Sequence, residues 1–440
     1  MEREKFGSRF AVIMALAGSA IGLGNIWRFP YMVGRYGGAA FIIVYILATA
    51  LLAVPMLLSE SLIGRRGRSN TFGAMEALAP GSAWKWICIP IVLTPLLVLS
   101  YYSVVGGWSV EYFIKAFSSD FSADAEAIPA MFDNFLASPW KPLAVFTVFL
   151  VLTSVIILLG VKKGIEKFSK ITMPTLFLLI ILIIVYAFSL PGSHRGIDYL
   201  IRPDWSKLTA EAVAAAMGQA FYSLSLGCGV ILTYSSYVKE EENLLTSSLG
   251  TASADILFAM LAGFAVMPAV FACGIEPQGG PGLVFQSLPY VFCKMGGNIP
   301  WLGPAIAAIF FVSILIAALT SSISLMEGCV AYLVDETRLS RPAATGIIFL
   351  IAWSIGACCA LSGGVFNFFD QMLSTYAMPF GALIFTLFAG WRMSGDDLRD
   401  EFTNGGSLRG NVRIYPFVRF LIRYIAPVGV LAIFLGNLIL

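Results

Sequence analysis

The sequence predicts an all-α polytopic membrane protein with about eleven transmembrane helices, and three observations predict it. Of 440 residues, 58% are hydrophobic and only 12% charged, where a soluble domain carries about 25% charged residues; mean hydropathy is +0.84. Eleven apolar segments come close to the about 20 residues that cross a bilayer. Two of them are interrupted by paired glycines, Gly22-x-Gly24 and Gly227-x-Gly229. They open two halves of the chain, a pattern that points to a transporter binding site.

The segments fall at about 10–34, 40–63, 88–116, 142–160, 168–190, 212–237, 246–274, 300–333, 343–361, 365–391 and 417–438. The chain reads as one transmembrane domain over 1–440, with a first repeat at about 10–190, a second at about 212–391 and an extra helix at about 417–438. Basic residues set orientation, because loops rich in Lys and Arg stay in the cytoplasm. Arg65, Arg66, Arg68, Lys162, Lys163, Lys167, Arg338 and Arg341 then fall inside, and fewer, among them Arg35, Lys141 and Arg202, fall outside. This predicts a cytoplasmic N-terminus and, with an odd span count, an extracytoplasmic C-terminus. The stretch 118–140, with Asp120, Asp124, Glu126 and Asp133, reads as a solvated outer loop, and 394–411 as a polar inner loop without chemistry.

Composition excludes several classes. A net charge of +2 suggests no nucleic-acid partner. The seven cysteines, at 88, 228, 273, 293, 329, 358 and 359, form no CxxC or His/Cys metal motif, and Cys273 and Cys293 read as free apolar residues rather than a bridge. The single histidine, His194, sits in a predicted loop, which argues against His-based catalysis or metal binding. There is no nucleophile elbow and no phosphate loop, so no enzyme is predicted. The start, Met-Glu-Arg-Glu-Lys, lacks the order of a cleaved signal peptide.

Residues 18–30, Gly-Ser-Ala-Ile-Gly-Leu-Gly-Asn-Ile-Trp-Arg-Phe-Pro, are wrong for a plain anchor. Gly18, Gly22 and Gly24 weaken the helix, Asn25 and Arg28 are polar, and Pro30 lacks a backbone donor. A broken helix persists in a membrane only inside protein or beside water, and an ionisable residue at that depth is a functional-site hypothesis. A kinked packing helix is the plainer reading of this stretch alone. The second stretch, Met-Gly-Gln-Ala-Phe-Tyr-Ser-Leu-Ser-Leu-Gly-Cys-Gly at 217–229, tips the balance. Half-helix ends offer N–H groups to an anion and carbonyls to a cation. A zwitterionic amino acid with sodium, a hard cation that takes oxygen ligands, fits both.

The run Ser19-Ala-Ile-Gly-Leu-Gly-Asn-Ile-Trp-Arg-Phe-Pro30 resembles the first-helix signature of the neurotransmitter:sodium symporter family, which has the LeuT-type fold. The block from Gln219 to Gly229, the block Ala317-Ala-Leu-Thr-Ser-Ser-Ile-Ser-Leu-Met-Glu327 and the spacing from Ser223 to Asp255 are similar to it as well. The resemblance covers nearly the whole chain. It implies a bacterial member with a 5+5 inverted repeat and broken helices 1 and 6, in the cell inner (plasma) membrane. Relatives often have twelve spans; bacterial ones with eleven occur.

The resemblance implies two sodium sites. One takes the Ala20 carbonyl, Asn25, Ser223, Asp255 and the substrate carboxylate; the other takes carbonyls of Gly18, Ile21 and Ala317 with the hydroxyls of Thr320 and Ser321. Positions 317, 320 and 321 do share one helix face, although back-bonding or packing would explain Thr320 and Ser321 by themselves. Substrate-binding positions are Ser19, Ala20, Gly22, Leu23, Gly24, Val98, Tyr102, Tyr222, Ser223, Ser225, Cys228, Ser321 and Leu325, with Tyr102 donating to the carboxylate. Gly22 stands where monoamine-carrying relatives have an aspartate, so the substrate should bring its own carboxylate. Cys228 replaces a bulkier residue of some aliphatic-amino-acid carriers and leaves room for an aromatic side chain.

By the same resemblance, Arg28 and Asp370 form the outer gate and Arg3 and Asp335 the inner one, with Phe6 plugging the inner end. Gly279 to Pro289 is similar to an outer re-entrant loop. Gly164 and Pro174, with nine residues between them, resemble an element linked to unwinding beside the second sodium site; a loop glycine and a tolerated helix proline fit them equally well. The residues matching a chloride shell are Tyr45, Gln219 and Ser223. The position where bacterial members place a compensating glutamate is Ala259, and the carboxylate here is Asp255, so no chloride is expected. The expected function is sodium-coupled uptake of a neutral hydrophobic (aliphatic or aromatic) L-amino acid by alternating access. The alternatives are a proton-coupled amino acid carrier of the same fold and a non-transporting amino-acid-binding receptor. Oligomeric state is not legible.

Overall fold

The computed structural model describes residues 4–118, 128–274, 283–295 and 301–439. Regular structure among them is helical, apart from one bridge between Gly38 and Pro203. Among the described residues, nine helices are long and apolar enough to span a membrane: α3 Ala39–Gly67, α4 Trp84–Lys115, α5 Lys141–Leu158, α6 Val161–Ser189, α9 Leu244–Ala272, α10 Leu302–Glu336, α11 Arg341–Leu361, α12 Gly363–Arg392 and α14 Arg409–Leu435. A tenth span is the pair α1 Arg9–Ala20 and α2 Leu23–Arg35, bent by 61° at its break. The pair α7 Ala210–Ser223 and α8 Val230–Ser235 flanks a second, longer break. The eleven expected segments therefore all appear, with both discontinuities where the glycines fall.

Each break has a local cause. Ser8 caps the start of α1 by accepting from the Ala11 N–H at 3.3 Å. At its other end Ile21 turns extended and its N–H closes on the Ala17 carbonyl at 2.7 Å. Asn25 then folds back, its Oδ1 accepting from the Gly22 N–H at 3.1 Å, and so caps α2. In the second break Ser225, Gly227 and Gly229 have φ of +53°, +85° and +72°, left-handed values that end a helix and suit glycine.

Close approach of backbones explains other glycines. A Cβ at Gly227 would lie 1.9 Å from the Met378 carbonyl oxygen, so α12 packs directly on the second break. A Cβ at Gly107 would lie 2.6 Å from the Phe146 nitrogen, which brings α4 and α5 together as small residues do in membranes.

Three stretches expected as loops contain short helices: Ile128–Ala137, His194–Ile201 and α13 Gly395–Thr403. The last is capped by Ser394, whose Oγ accepts from the Asp397 N–H at 3.0 Å. Part of the expected outer re-entrant loop, 279–282, lies outside the described residues. Its remainder packs inward, with Phe285 stacked on Phe132 at 5.4 Å. None of the seven cysteines is disulfide-bonded.

Candidate functional site

The two breaks face one another around a cavity of about 50 Å³. Ala20, Gly22, Leu23, Gly24 and Asn25 line it from the first break, Tyr222, Ser223, Ser225 and Cys228 from the second, Val98 and Tyr102 from α4, Ser321 and Leu325 from α10 and Met378 from α12. None of these side chains is charged. Twelve of the expected substrate positions are thus brought together. Ser19 is set back: its Oγ donates to Ser324 Oγ at 2.8 Å, and its carbonyl accepts from Ser225 Oγ at 2.9 Å. Space, rather than backbone conformation, favours glycine at 22, because a Cβ there would meet Ser321 Oγ and Tyr102 Oη, each at 3.0 Å.

The N-terminus of α2, through Leu23, Gly24 and Asn25, lines this cavity, where the helix dipole favours negative charge. The Leu23 N–H lies 3.4 Å from Tyr102 Oη. Beside it, Asp255 is fully buried at the centre of a polar cluster. Ser223 Oγ lies 2.7 and 2.9 Å from its two oxygens, Asn25 Nδ2 donates at 2.7 Å and Tyr45 Oη at 3.1 Å. Gln219, one turn before Ser223, is buried with both amide atoms unpartnered. The expected first-site side chains, Asn25, Ser223 and Asp255, therefore share one hydrogen-bonded cluster.

The second expected site gathers neutral oxygens only. Ser321 Oγ lies 3.3, 3.4 and 3.5 Å from the carbonyls of Ile21, Ser19 and Gly18. Thr320 Oγ1 back-bonds to the Ala317 carbonyl at 3.0 Å and the Ile316 carbonyl at 3.2 Å. Gly18 lets α10 approach, since a Cβ there would meet Thr320 Cβ at 3.2 Å. Gly164 lies in a wide helical turn at Val161–Glu166, continuous with α6 rather than unwound. Among the described residues no group of three His, Cys, Asp or Glu could hold a metal, so an ion here must rely on carbonyl, hydroxyl and amide oxygens with one carboxylate.

A chamber of about 510 Å³ lies beyond the cavity, and Leu23, Tyr102 and Tyr222 line both spaces. Arg28 and Asp370 both line this chamber, but no ion pair joins them. The Arg28 guanidinium lies over the Tyr222 ring, 4.8 Å from its centroid. The expected gate pair is thus apart. At the opposite end Phe6 is buried and packs edge-on against Tyr234 and Tyr237, with 6.1 Å between ring centroids in each case. Asp335 accepts from the Asn70 N–H at 3.0 Å; its expected partner Arg3 lies outside the described residues.

Sequence reasoning missed Met378 in the lining and Glu60 behind it. Glu60 is fully buried in α3, and its Oε1 accepts from the Gly227 N–H at 2.7 Å, bracing the second break. The signal was present, because a lone carboxylate inside a membrane segment marks a functional position.

This broken-helix pair around an uncharged cavity defines a LeuT-type transporter. The chain belongs to the sodium:neurotransmitter symporter family, whose profile matches residues 3–127 and 134–440. It is 38% identical to the uncharacterized sodium-dependent transporter YhdH of Bacillus subtilis (strain 168), over 98% of this chain and 97% of that one. It is 29% identical to the sodium-dependent serotonin transporter of Drosophila melanogaster, over 99% of this chain and 76% of that one. Among solved structures it matches MhsT in complex with L-phenylalanine at a TM-score of 0.88 and 39% identity, covering 99% of this chain and 100% of that chain. The chain is a multi-pass, sodium-dependent symporter and not an enzyme.

Proposed function

We propose that the chain takes up a neutral, hydrophobic L-amino acid, aliphatic or aromatic, together with sodium and without chloride, by alternating access. The observation that carries this reading is the composition of the cavity. Backbone amides of α2 and the Tyr102 hydroxyl stand ready for a carboxylate, while the rest of the lining carries no charge to pair with a charged substrate side chain. The occurrence of L-phenylalanine in the similar MhsT structure agrees with this choice.

In this reading Asn25, Ser223 and Asp255, with the Ala20 carbonyl and the substrate carboxylate, hold one sodium ion. Gly18, Ile21, Ala317, Thr320 and Ser321 hold the other. Chloride is dispensable because Asp255 supplies the negative charge. Tyr45 and Ser223, two members of the expected chloride shell, already donate to its carboxylate. The cytoplasmic N-terminus follows from the basic loops, so Phe6 lies at the inner end and Arg28 at the outer end.

The test is amino acid uptake and counterflow in proteoliposomes, with and without a sodium gradient, in sodium chloride and in sodium gluconate. Uptake is expected to need sodium and to continue in gluconate, and Asp255→Asn is expected to introduce partial chloride dependence. A parent that stops in gluconate refutes the chloride reading. Sodium-independent uptake driven by a proton gradient would favour the proton-coupled alternative, and binding without counterflow the receptor. Ser321→Ala with Thr320→Val is expected to raise the half-saturating sodium concentration; an unchanged titration removes those hydroxyls from the site.

A further inference from the structure

We propose that the face of α14 around Arg423 binds the phosphate headgroup of an anionic phospholipid. The other arginines clustered on α3 at this end have carboxylate partners: Arg65 pairs with Glu401, Arg66 with Asp397 and Arg68 with Glu240. Arg423 and the neighbouring Arg392 pair with none among the described residues. Yet Arg423 lies inside the apolar span Arg409–Leu435, where an uncompensated charge is costly.

The guanidinium is fixed rather than free to snorkel. Its central carbon lies 4.0 Å from the Trp391 ring centroid and 5.7 Å from that of Tyr424. Trp391 Nε1 donates to the Arg423 carbonyl at 3.0 Å. A Cβ at Gly390 would come 2.9 Å from Arg423 Cα, so α12 leaves no room for retreat. Arg423 Nε is buried without a hydrogen-bond partner. The acidic residues Asp397 and Glu401 of α13 are already engaged by Arg66 and Arg65. Arg419, one turn earlier on the same helix, reaches towards Gly395 at the start of α13. A planar, positively charged fork without a carboxylate partner suits a phosphate oxygen.

The surroundings favour a lipid as the source of that phosphate. Trp391, Phe420 and Tyr424 are 54%, 49% and 45% exposed beside Arg423. They form an aromatic surface of the kind that sits at the headgroup level. Basic pockets at this level attract anionic headgroups.

The full-length protein, purified in detergent, is titrated with phosphatidylglycerol, phosphatidylcholine or glycerol phosphate, and bound species are counted by native mass spectrometry. Phosphatidylglycerol is expected to be retained in preference to phosphatidylcholine. Arg423→Gln is expected to weaken its binding about fivefold, the weight of one basic residue near an anionic surface. Arg413→Gln, ten residues away and so about 15 Å along the helix, is expected to bind as the parent does. Equal retention of the two lipids, or parental binding by Arg423→Gln, overturns the proposal. Glycerol phosphate binding as tightly as the lipid overturns its lipid part. If Arg423→Gln does not fold, Arg423→Lys, which keeps the charge and loses the fork, decides: weaker binding supports the site and unchanged binding overturns it. Sodium-dependent thermal stabilisation of the same samples reports on the symporter separately.

Discussion

The two ends of the molecule differ in how their charges are used. At the end that carries the N-terminal segment, charges are engaged. Glu327 is fully buried and takes both Arg341 and the Tyr237 hydroxyl, the latter at 2.7 Å. Arg65 is buried and reaches Glu401, the Glu401 and Glu242 carbonyls and Asn404. Phe6 is clamped, its N–H donating to the Tyr237 carbonyl at 3.0 Å. At the other end Arg28 and Asp370 line an open chamber without pairing. One end is locked by buried polar contacts, while at the other the pair Arg28 and Asp370 is unmade and the formed contacts, such as Arg35 with Glu211, are exposed. An alternating-access cycle needs that asymmetry, with each lock formed in one state only.

The largest expected effect comes from breaking the formed lock. Arg341 grips Glu327 with two nitrogens and donates Nε to the Ile157 carbonyl at 2.8 Å. Removing one partner of a buried pair costs about 3–5 kcal/mol, because the remaining charge is left uncompensated. Arg341→Ala is therefore expected to lower the melting midpoint by several degrees and to open the inner end to cysteine-reactive probes. Arg341→Met with Glu327→Gln is expected to recover most of the stability. A double variant no better than the single one would mean that the pair is not what holds this end.

The unmade contact at the Arg28 end is expected to act on rate. Arg28→Ala leaves the open state nearly intact, since no ion pair is lost there, and weakens only the closed state. Truncating one partner of a desolvated charge pair costs about 2–5 kcal/mol, so turnover is expected to fall at least about tenfold, with substrate binding nearly unchanged. Equilibrium binding and initial uptake rates on one preparation check this. Equal losses in both would place Arg28 in the binding site instead.

This comparison also marks what the sequence could and could not disclose. The breaks were legible because glycine pairs and Asn25 act locally, on the helix that contains them. The α10 cavity residues were legible through their place in a recognisable block, and Val98 and Tyr102 of α4 only through the pocket's resemblance to the family. Met378 was not, because its position depends on Gly227 admitting the backbone of α12 from 151 residues further along the chain. Arg65 read as one more basic loop residue, and nothing near it in sequence reveals that acceptors from 240–242 and 401–404 converge on it. The separation of Arg28 from Asp370 belongs to the conformation, and a sequence encodes both conformations at once.

The smallest expected effect refines the inner lock. Glu4 Oε2 accepts from the Val161 N–H at 2.8 Å and the Lys162 N–H at 3.1 Å, at the very start of α6. Glu166 answers by accepting from the Gly7 N–H at 2.8 Å, and Lys239 donates to the Gly7 carbonyl at 3.0 Å. The N-terminal segment thus caps the helix that approaches the proposed second sodium site, where a Cβ at Gly18 would lie 3.4 Å from Met173 Sδ. A carboxylate at a helix start satisfies orphan amides and meets the dipole favourably, together worth about 1 kcal/mol. Glu4 is exposed, which keeps the effect small. Glu4→Ala is expected to speed hydrogen exchange of the 161–166 amides about fivefold, and Glu4→Gln, which keeps an acceptor, to speed it less. If the first turn of α6 exchanges in both variants as it does in the parent, the N-terminal segment does not hold it. Movements of that turn would then have to be driven from elsewhere, the proposed second sodium site being the nearest candidate along α6.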